Sequence, residues 1–383
     1  MRADQAWIKR NLGFDPIKRP APSNTIAFAQ SATSTKAEDF RREIIDFNSE
    51  ASEGQAFMAF STATGLARFT DIPWPSGLEP KAGPAPQGSA SSPLPKADVL
   101  VVTWTVDEGH ALSRVLTPGK DSHDDYRPYA SNFETIAKKM QQGCPALALG
   151  RLGTYWTTTI GKKNVVVFKS DSHMSQDGPE LPNVDVWTQI IKEVQPQLVL
   201  TTGTAGGIGA EFQVGDVVVS PIVRFDCTSK FKNAPFHDAH YASKPCNNKL
   251  FSKASQLFKA NSDQLPKDNK RAPKITRVAP TDLKSSVLTT DFFGFDTSNN
   301  HFGLRGLGDV AEMGDAVLGL AASQMGASAP RWLAVRNVSD PQIKADGLTL
   351  KQQADMAGTI YKGYGRWSTV CSAIVCWALI AAE

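Results

Sequence analysis

Residues 198–221 read LVLTTGTAGGIGAEFQVGDVVVSP, an apolar strand pattern that meets a cluster of glycines and then resumes as a second apolar strand. Runs of Val and Leu without polar alternation need cover on both sides, which points to a sheet enclosed between helices. Gly203, Gly206 and Gly207 let the backbone approach a ligand closely and aim its amides at an oxygen-rich group. Because strand rather than helix follows, the stretch is not a dinucleotide fingerprint. The chain from Ala97 onward agrees. Strands are expected in ADVLVVTW and at 164–168, 197–201, 216–220, 286–289 and 332–335, with helices at 107–116, 184–194, 247–259 and 310–323. This order argues for an α/β domain around a parallel or mixed sheet.

Residues 1–72 form an N-terminal extension with amphipathic helix candidates at 4–12 and 36–47. Residues 73–95, rich in Pro, Gly, Ser and Ala, read as an exposed linker, and 96–383 as the main domain. The apolar stretch at 370–382 is shorter than the roughly twenty residues needed to span a bilayer, so a buried C-terminal helix is expected there. Cys144, Cys227, Cys246, Cys371 and Cys376 are odd in number and scattered, and no apolar run follows Met1. A reducing cytoplasm is the expected setting, with no membrane partner.

A formal charge of +3 excludes a generally basic nucleic-acid binder. It conceals a segment, 225–285, with 12 Lys and Arg against 5 Asp, which leaves the remainder at −4. His237 and His240 sit in a polar loop without an evident third ligand, so neither a metal nor any other cofactor is expected.

Four segments stand in a telling order: ADVLVV at 97–102 with Glu108; Thr202-Gly203-Thr204-Ala205-Gly206-Gly207-Ile208 with Gly215-Asp216-Val217-Val218; Ala311-Glu312-Met313; and Val335-Arg336-Asn337-Val338-Ser339-Asp340. Together they resemble the nucleoside phosphorylase and nucleosidase superfamily over residues 97–383. The resemblance implies a three-layer α/β fold around a central mixed, twisted sheet, assembled as a homo-oligomer. It also implies cleavage of the N-glycosidic bond between ribose and a purine.

By that resemblance Asp340 is the acid that protonates the departing base, oriented by Ser339. Glu108 is the acid that activates water in the nucleosidase branch. No glycine and arginine arrangement for phosphate follows the first strand, so water is the expected nucleophile. Thr204, Ala205, Gly206 and Gly207 line the ribose or nucleophile side, and Phe293 stacks on the base, with Phe292 and Phe295 as alternatives. The family's ribose motif has Met followed directly by Glu; here Gly314 follows Met313, leaving Glu312 or Asp315 to replace the missing carboxylate.

Lys169, His173, Arg224 and Arg305, with the basic segment, are candidates to hold a substrate phosphate. The N-terminal extension, the nucleosidase-type Glu108 and the cationic segment also make the chain similar to ATP- and AMP-cleaving members used as bacterial antiviral effectors. Hydrolysis of a purine nucleotide or nucleoside, with ATP or AMP favoured, is the leading expectation. A phosphate-dependent phosphorylase and a catalytically weak nucleotide-binding module are the alternatives.

Overall fold

The computed structural model describes residues 71–142, 144–174 and 180–383; the helix candidates at 4–12 and 36–47 lie outside the described residues. The strands are β1 (Lys81–Ala82), β2 (Val99–Thr103), β3 (Arg127–Tyr129), β4 (Gly153–Ile160), β5 (Lys163–Ser170), β6 (Leu198–Gly207) and β7 (Val217–Ser220). They continue as β8 (Ile222–Asp226), β9 (His240–Ala242), β10 (Ile275–Arg277), β11 (Ser286–Thr290), β12 (Gly308–Glu312) and β13 (Arg331–Asp340). The helices are α1 (Val106–Leu116), α2 (Phe133–Ala137), α3 (Pro145–Leu149), α4 (Asn183–Val194), α5 (Phe251–Leu257), α6 (Asp315–Met325) and α7 (Leu350–Ala381).

Among the described residues the strands form one mixed sheet, with β1-β4-β5-β2-β6-β12-β11-β8-β9 as its main path. Its middle strands alternate between two cores. Val99, Val101, Leu198 and Leu200 pack on one face with α1 and α7, while Leu100, Val102 and Val199 pack on the other with α4 and α6. This period of two with both faces buried explains the unbroken apolar runs, and it makes the α/β fold three layers deep.

Strand β6 organises the site. Along one edge it pairs in parallel with β13 over nearly its whole length. On the other edge β2 covers Leu198 to Thr201 and β12 covers Gly206 and Gly207. Between those partners, residues 202–205 have a strand edge free of sheet pairing, and that gap opens the pocket. Such a change of partner beyond strand ends is where α/β sheets take ligands.

Several elements differ from the sequence-based expectation. The strand expected to stop before the glycines runs through them, because β13 holds that edge throughout. The expected helix at 310–323 is a strand through Glu312, and helix begins only after Gly314. The helix expected at 247–259 is shorter, passing into a 3-10 turn at Phe258–Gln264. The C-terminal helix is far longer than the apolar stretch that announced it.

Residues 73–95 are largely exposed or half-buried, and they are anchored to the main domain at several points. Trp74 packs against Trp377 at 4.8 Å between ring centroids, and the Trp377 indole donates to the Leu78 carbonyl at 2.6 Å. Strand β1 adds antiparallel to β4, and the Trp156 indole donates to the Gly83 carbonyl at 3.0 Å. The extended conformation that Pro favours lets this segment lie along the sheet edge, and its few large apolar groups anchor it there.

Among the described residues no helix is long and apolar enough to cross a membrane. All five cysteines are free and buried.

Candidate active site

The pocket is bounded by the ends of β2, β5, β6, β12 and β13, with Phe293, Gly294, Pro145 and Tyr361 completing the wall. Thr105 caps α1, and Glu108, three residues on, reaches back in a capping box. Its Oε2 accepts from the Thr105 amide at 2.9 Å, the Trp104 amide at 3.1 Å and the Thr103 hydroxyl at 3.0 Å. Its Oε1 accepts from the amide and the hydroxyl of Thr204, both at 2.7 Å. Burial would raise this carboxyl, but Arg336 and the bonds from Thr105 and Thr204 outweigh it and hold Glu108 below its ordinary value.

Gly203 makes this possible. Its φ is +152°, and a Cβ there would stand 2.4 Å from Glu108 Oε1. Gly203→Ala is therefore expected to lower stability by about 3 kcal/mol through backbone strain and overpacking. Calorimetry of the single variant and of Gly203→Ala combined with Glu108→Ala tests the contact, since the shorter side chain should recover part of the loss. Equal melting temperatures for Gly203→Ala and the parent protein would refute it.

Asp340 ends β13, where it is 2% exposed. Its Oδ1 accepts from the Ser339 hydroxyl at 2.7 Å, whereas Oδ2 is buried without a partner. Burial pushes this carboxyl up to about 7, against the smaller pull of Ser339. Gly206 keeps the space beside it open, since a Cβ would meet Asp340 Oδ2 at 2.9 Å and the Gly294 carbonyl at 2.8 Å.

Arg336 lies beneath the pocket. It makes a fork to Asp315, Nε to Oδ2 at 2.8 Å and Nη2 to Oδ1 at 2.5 Å, and approaches Glu312 at 3.0 Å. Its guanidinium also lies 4.6 Å from the centre of the Trp104 ring. Glu312 accepts from the Thr289 hydroxyl and from the amides of Gly314 at 2.6 Å and Asp315 at 2.9 Å. Burial and the neighbouring Asp315 charge raise Glu312 above the usual carboxylate range, against Arg336.

Of the residues singled out from the sequence, Glu108, His173, Thr204, Ala205, Gly206, Phe293, Glu312, Met313, Ser339 and Asp340 line the pocket. Phe292 and Phe295 lie in the core and pack near Phe302 instead. Gly207 is closed in by Phe212 and Val338, and Asp315 faces Arg336 rather than the cavity. Burial lowers His173 to about 4, so its ring is neutral at pH 7.

The other phosphate candidates stand outside the pocket wall. Lys169 is buried against Asp171 at 2.7 Å, Arg224 lies within β8, and Arg305 pairs with Asp296 at 3.2 Å. No residue of the basic segment 225–285 contributes to the wall either. Sequence reasoning passed over Trp104, Asp171, Arg336 and Tyr361. A lone arginine in an apolar strand was the available signal for Arg336, because such a charge demands buried partners.

A search of curated proteins returned no match. Among solved structures the chain is similar to 5′-methylthioadenosine/S-adenosylhomocysteine nucleosidase from Neisseria meningitidis, at 13% identity and a TM-score of 0.46, covering 75% of this chain and 100% of that one. The corresponding nucleosidase from Colwellia psychrerythraea gives 15%, 0.46, 75% and 96%. Futalosine hydrolase of Helicobacter pylori gives 11%, 0.44, 73% and 96%. The family model of the phosphorylase superfamily matches residues 128–360, more than half of the chain, and the protein belongs to that superfamily.

Proposed function

We propose that the chain hydrolyses the N-glycosidic bond of a purine nucleoside. The observation that carries this reading is Asp340, a buried carboxyl in the pocket wall whose Oδ2 has no partner and whose pKa is pushed up to about 7. A protonated acid there can hand its proton to the departing base, and Phe293 offers a face for that base to stack on. Cleavage leaves positive charge on the sugar, and Glu108, held ionised by its donors, stabilises that charge from a fixed position. Five donors and a lowered pKa suit this role better than that of the base expected from the sequence.

Charge bears on the nucleophile and the substrate. Among the described wall residues Arg336 is the sole Lys or Arg, and it is bound to Asp315 and Glu312. The wall carboxylates are committed as well, Glu108 to its five donors and Asp171 to Lys169 at 2.7 Å and Arg151 at 2.6 Å. With that one wall cation already paired, none is left to hold a phosphate ion or a substrate phosphate, which supports water as the nucleophile and a nucleoside over ATP or AMP.

The test is to incubate the protein with adenosine, methylthioadenosine, AMP and ATP, with and without inorganic phosphate, and to follow free adenine by chromatography. Adenine is expected from the nucleosides at a rate unchanged by phosphate, and at least about tenfold more slowly from AMP and ATP. Release that requires phosphate would overturn hydrolysis. Absence of adenine from every substrate would overturn the enzymatic reading.

A further inference from the structure

The glutamates of the pocket wall have no acceptor capacity left for a substrate hydroxyl. An ionised carboxylate offers about four lone-pair sites. On Glu312, Oε1 takes the Thr289 hydroxyl and the Asp315 amide, while Oε2 takes the Gly314 amide and the Arg336 guanidinium. Glu108 accepts five donors, two of them from Thr204. Met313 and the Trp104 indole share the pocket wall with these glutamates, beside Thr204 on Glu108 and the Arg336 guanidinium on Glu312.

Residue 314 explains why the indole fits. A Cβ on Gly314 would stand 3.0 Å from Trp104 Cζ2 and 3.2 Å from Cε2. The indole therefore fills the volume into which any side chain at that position would project. Trp187, edge-on at 6.0 Å, and the Arg336 guanidinium brace it on other sides. With Asp340 and Phe293 assigned to the base, this surface faces the sugar.

We infer that the site reads the sugar by its shape against Trp104 and Met313, that 2′-deoxyribonucleosides are substrates on a par with ribonucleosides, and that the Trp104–Gly314 pair sets this breadth. The inference rests on the nucleoside reading above. A site built to hydrogen-bond a hydroxyl rejects the analogue lacking it by about 10⁴–10⁵-fold, whereas an apolar surface discriminates by roughly 10–200-fold at most.

The experiment compares adenosine with 2′-deoxyadenosine in two readouts. Calorimetric Kd values are measured on Asp340→Asn protein, where turnover does not interfere, and kcat/KM for adenine release on the unmodified protein. Both ratios are expected within about tenfold. A loss of about 100-fold or more on removing the 2′-hydroxyl, in either readout, overturns the inference.

Trp104→Ala combined with Gly314→Glu exchanges the indole for a carboxylate and is expected to shift preference toward adenosine by at least about tenfold. Gly314→Glu alone should weaken both ligands, because the new side chain meets the indole. If the double variant keeps the original ratio, the Trp104–Gly314 pair is not the determinant. Equal binding without adenine release would sink the hydrolase reading and the claim that both are substrates while leaving the reading of the sugar by shape, whereas failure to bind either nucleoside would sink all of them.

Discussion

Asp340→Asn is expected to abolish base release and at the same time to raise the stability of the protein above neutral pH. The acid form of Asp340 donates the proton, and losing a positioned general acid lowers kcat by about 10²–10⁴-fold. Stability moves the other way. A carboxyl raised from 3.8 to about 7 binds more protons folded than unfolded across that window, so stability falls as the pH climbs through it. Above about pH 7 the buried carboxylate costs on the order of 4 kcal/mol relative to an unperturbed one. Asparagine removes that ionisation and still accepts from the Ser339 hydroxyl, which now donates to Asp340 Oδ1. The variant should therefore melt higher than the parent at pH 8 and close to it at pH 4. The parent's own rate should fall above about pH 7 as the acid deprotonates. Near-parental turnover in Asp340→Asn, or a rate flat from pH 6 to 9, would remove Asp340 from the acid's role.

That Asp340 and Glu108 stand in the pocket wall was legible in the sequence, because their positions are set locally. One ends an apolar strand, and the other stands three residues after the capping Thr105. The layered fold was legible for a similar reason, since alternating burial of Val99 to Val102 on two faces leaves an apolar run that no half-exposed strand shows. Partners drawn from distant segments were not. Arg336 meets Asp315 and Glu312 only because β12 and β13 both lie against β6, a fact of topology with no trace in spacing. The 225–285 cations stand outside the pocket wall for the same reason, because closeness in the chain to β8 brings none of them there. At 73–95 composition did not reveal the anchoring contacts. Proline and glycine dominate the count, while Trp74 and Leu78 determine where the segment goes.

Arg336→Leu should be the most destabilising single change in the site. The guanidinium is 2% exposed and stands between Asp315, Glu312 and the charge of Glu108, so its loss leaves three buried carboxyls without a cation. Removing one partner of a buried ion pair costs about 3–5 kcal/mol, and leucine at 336 strands more than one partner. Without the cation that now lowers them, Glu108 and Glu312 would both shift upward and hold protons more readily in the folded state. Stability would then be lost as the pH rises, so urea unfolding should show a larger deficit at pH 8.5 than at pH 5.5. Glu108 also loses its principal charge partner, so base release should fall in parallel. Arg336→Lys separates charge from geometry: an ammonium cannot reproduce the fork to Asp315, and a loss intermediate between parent and leucine is expected. Asp315→Leu added to Arg336→Leu should recover much of the deficit, because an apolar pair of similar volume leaves one fewer carboxyl uncompensated. A deficit under about 1 kcal/mol for Arg336→Leu, or one independent of pH, would mean that the buried carboxyls are already neutral and that Arg336 does not set their charge.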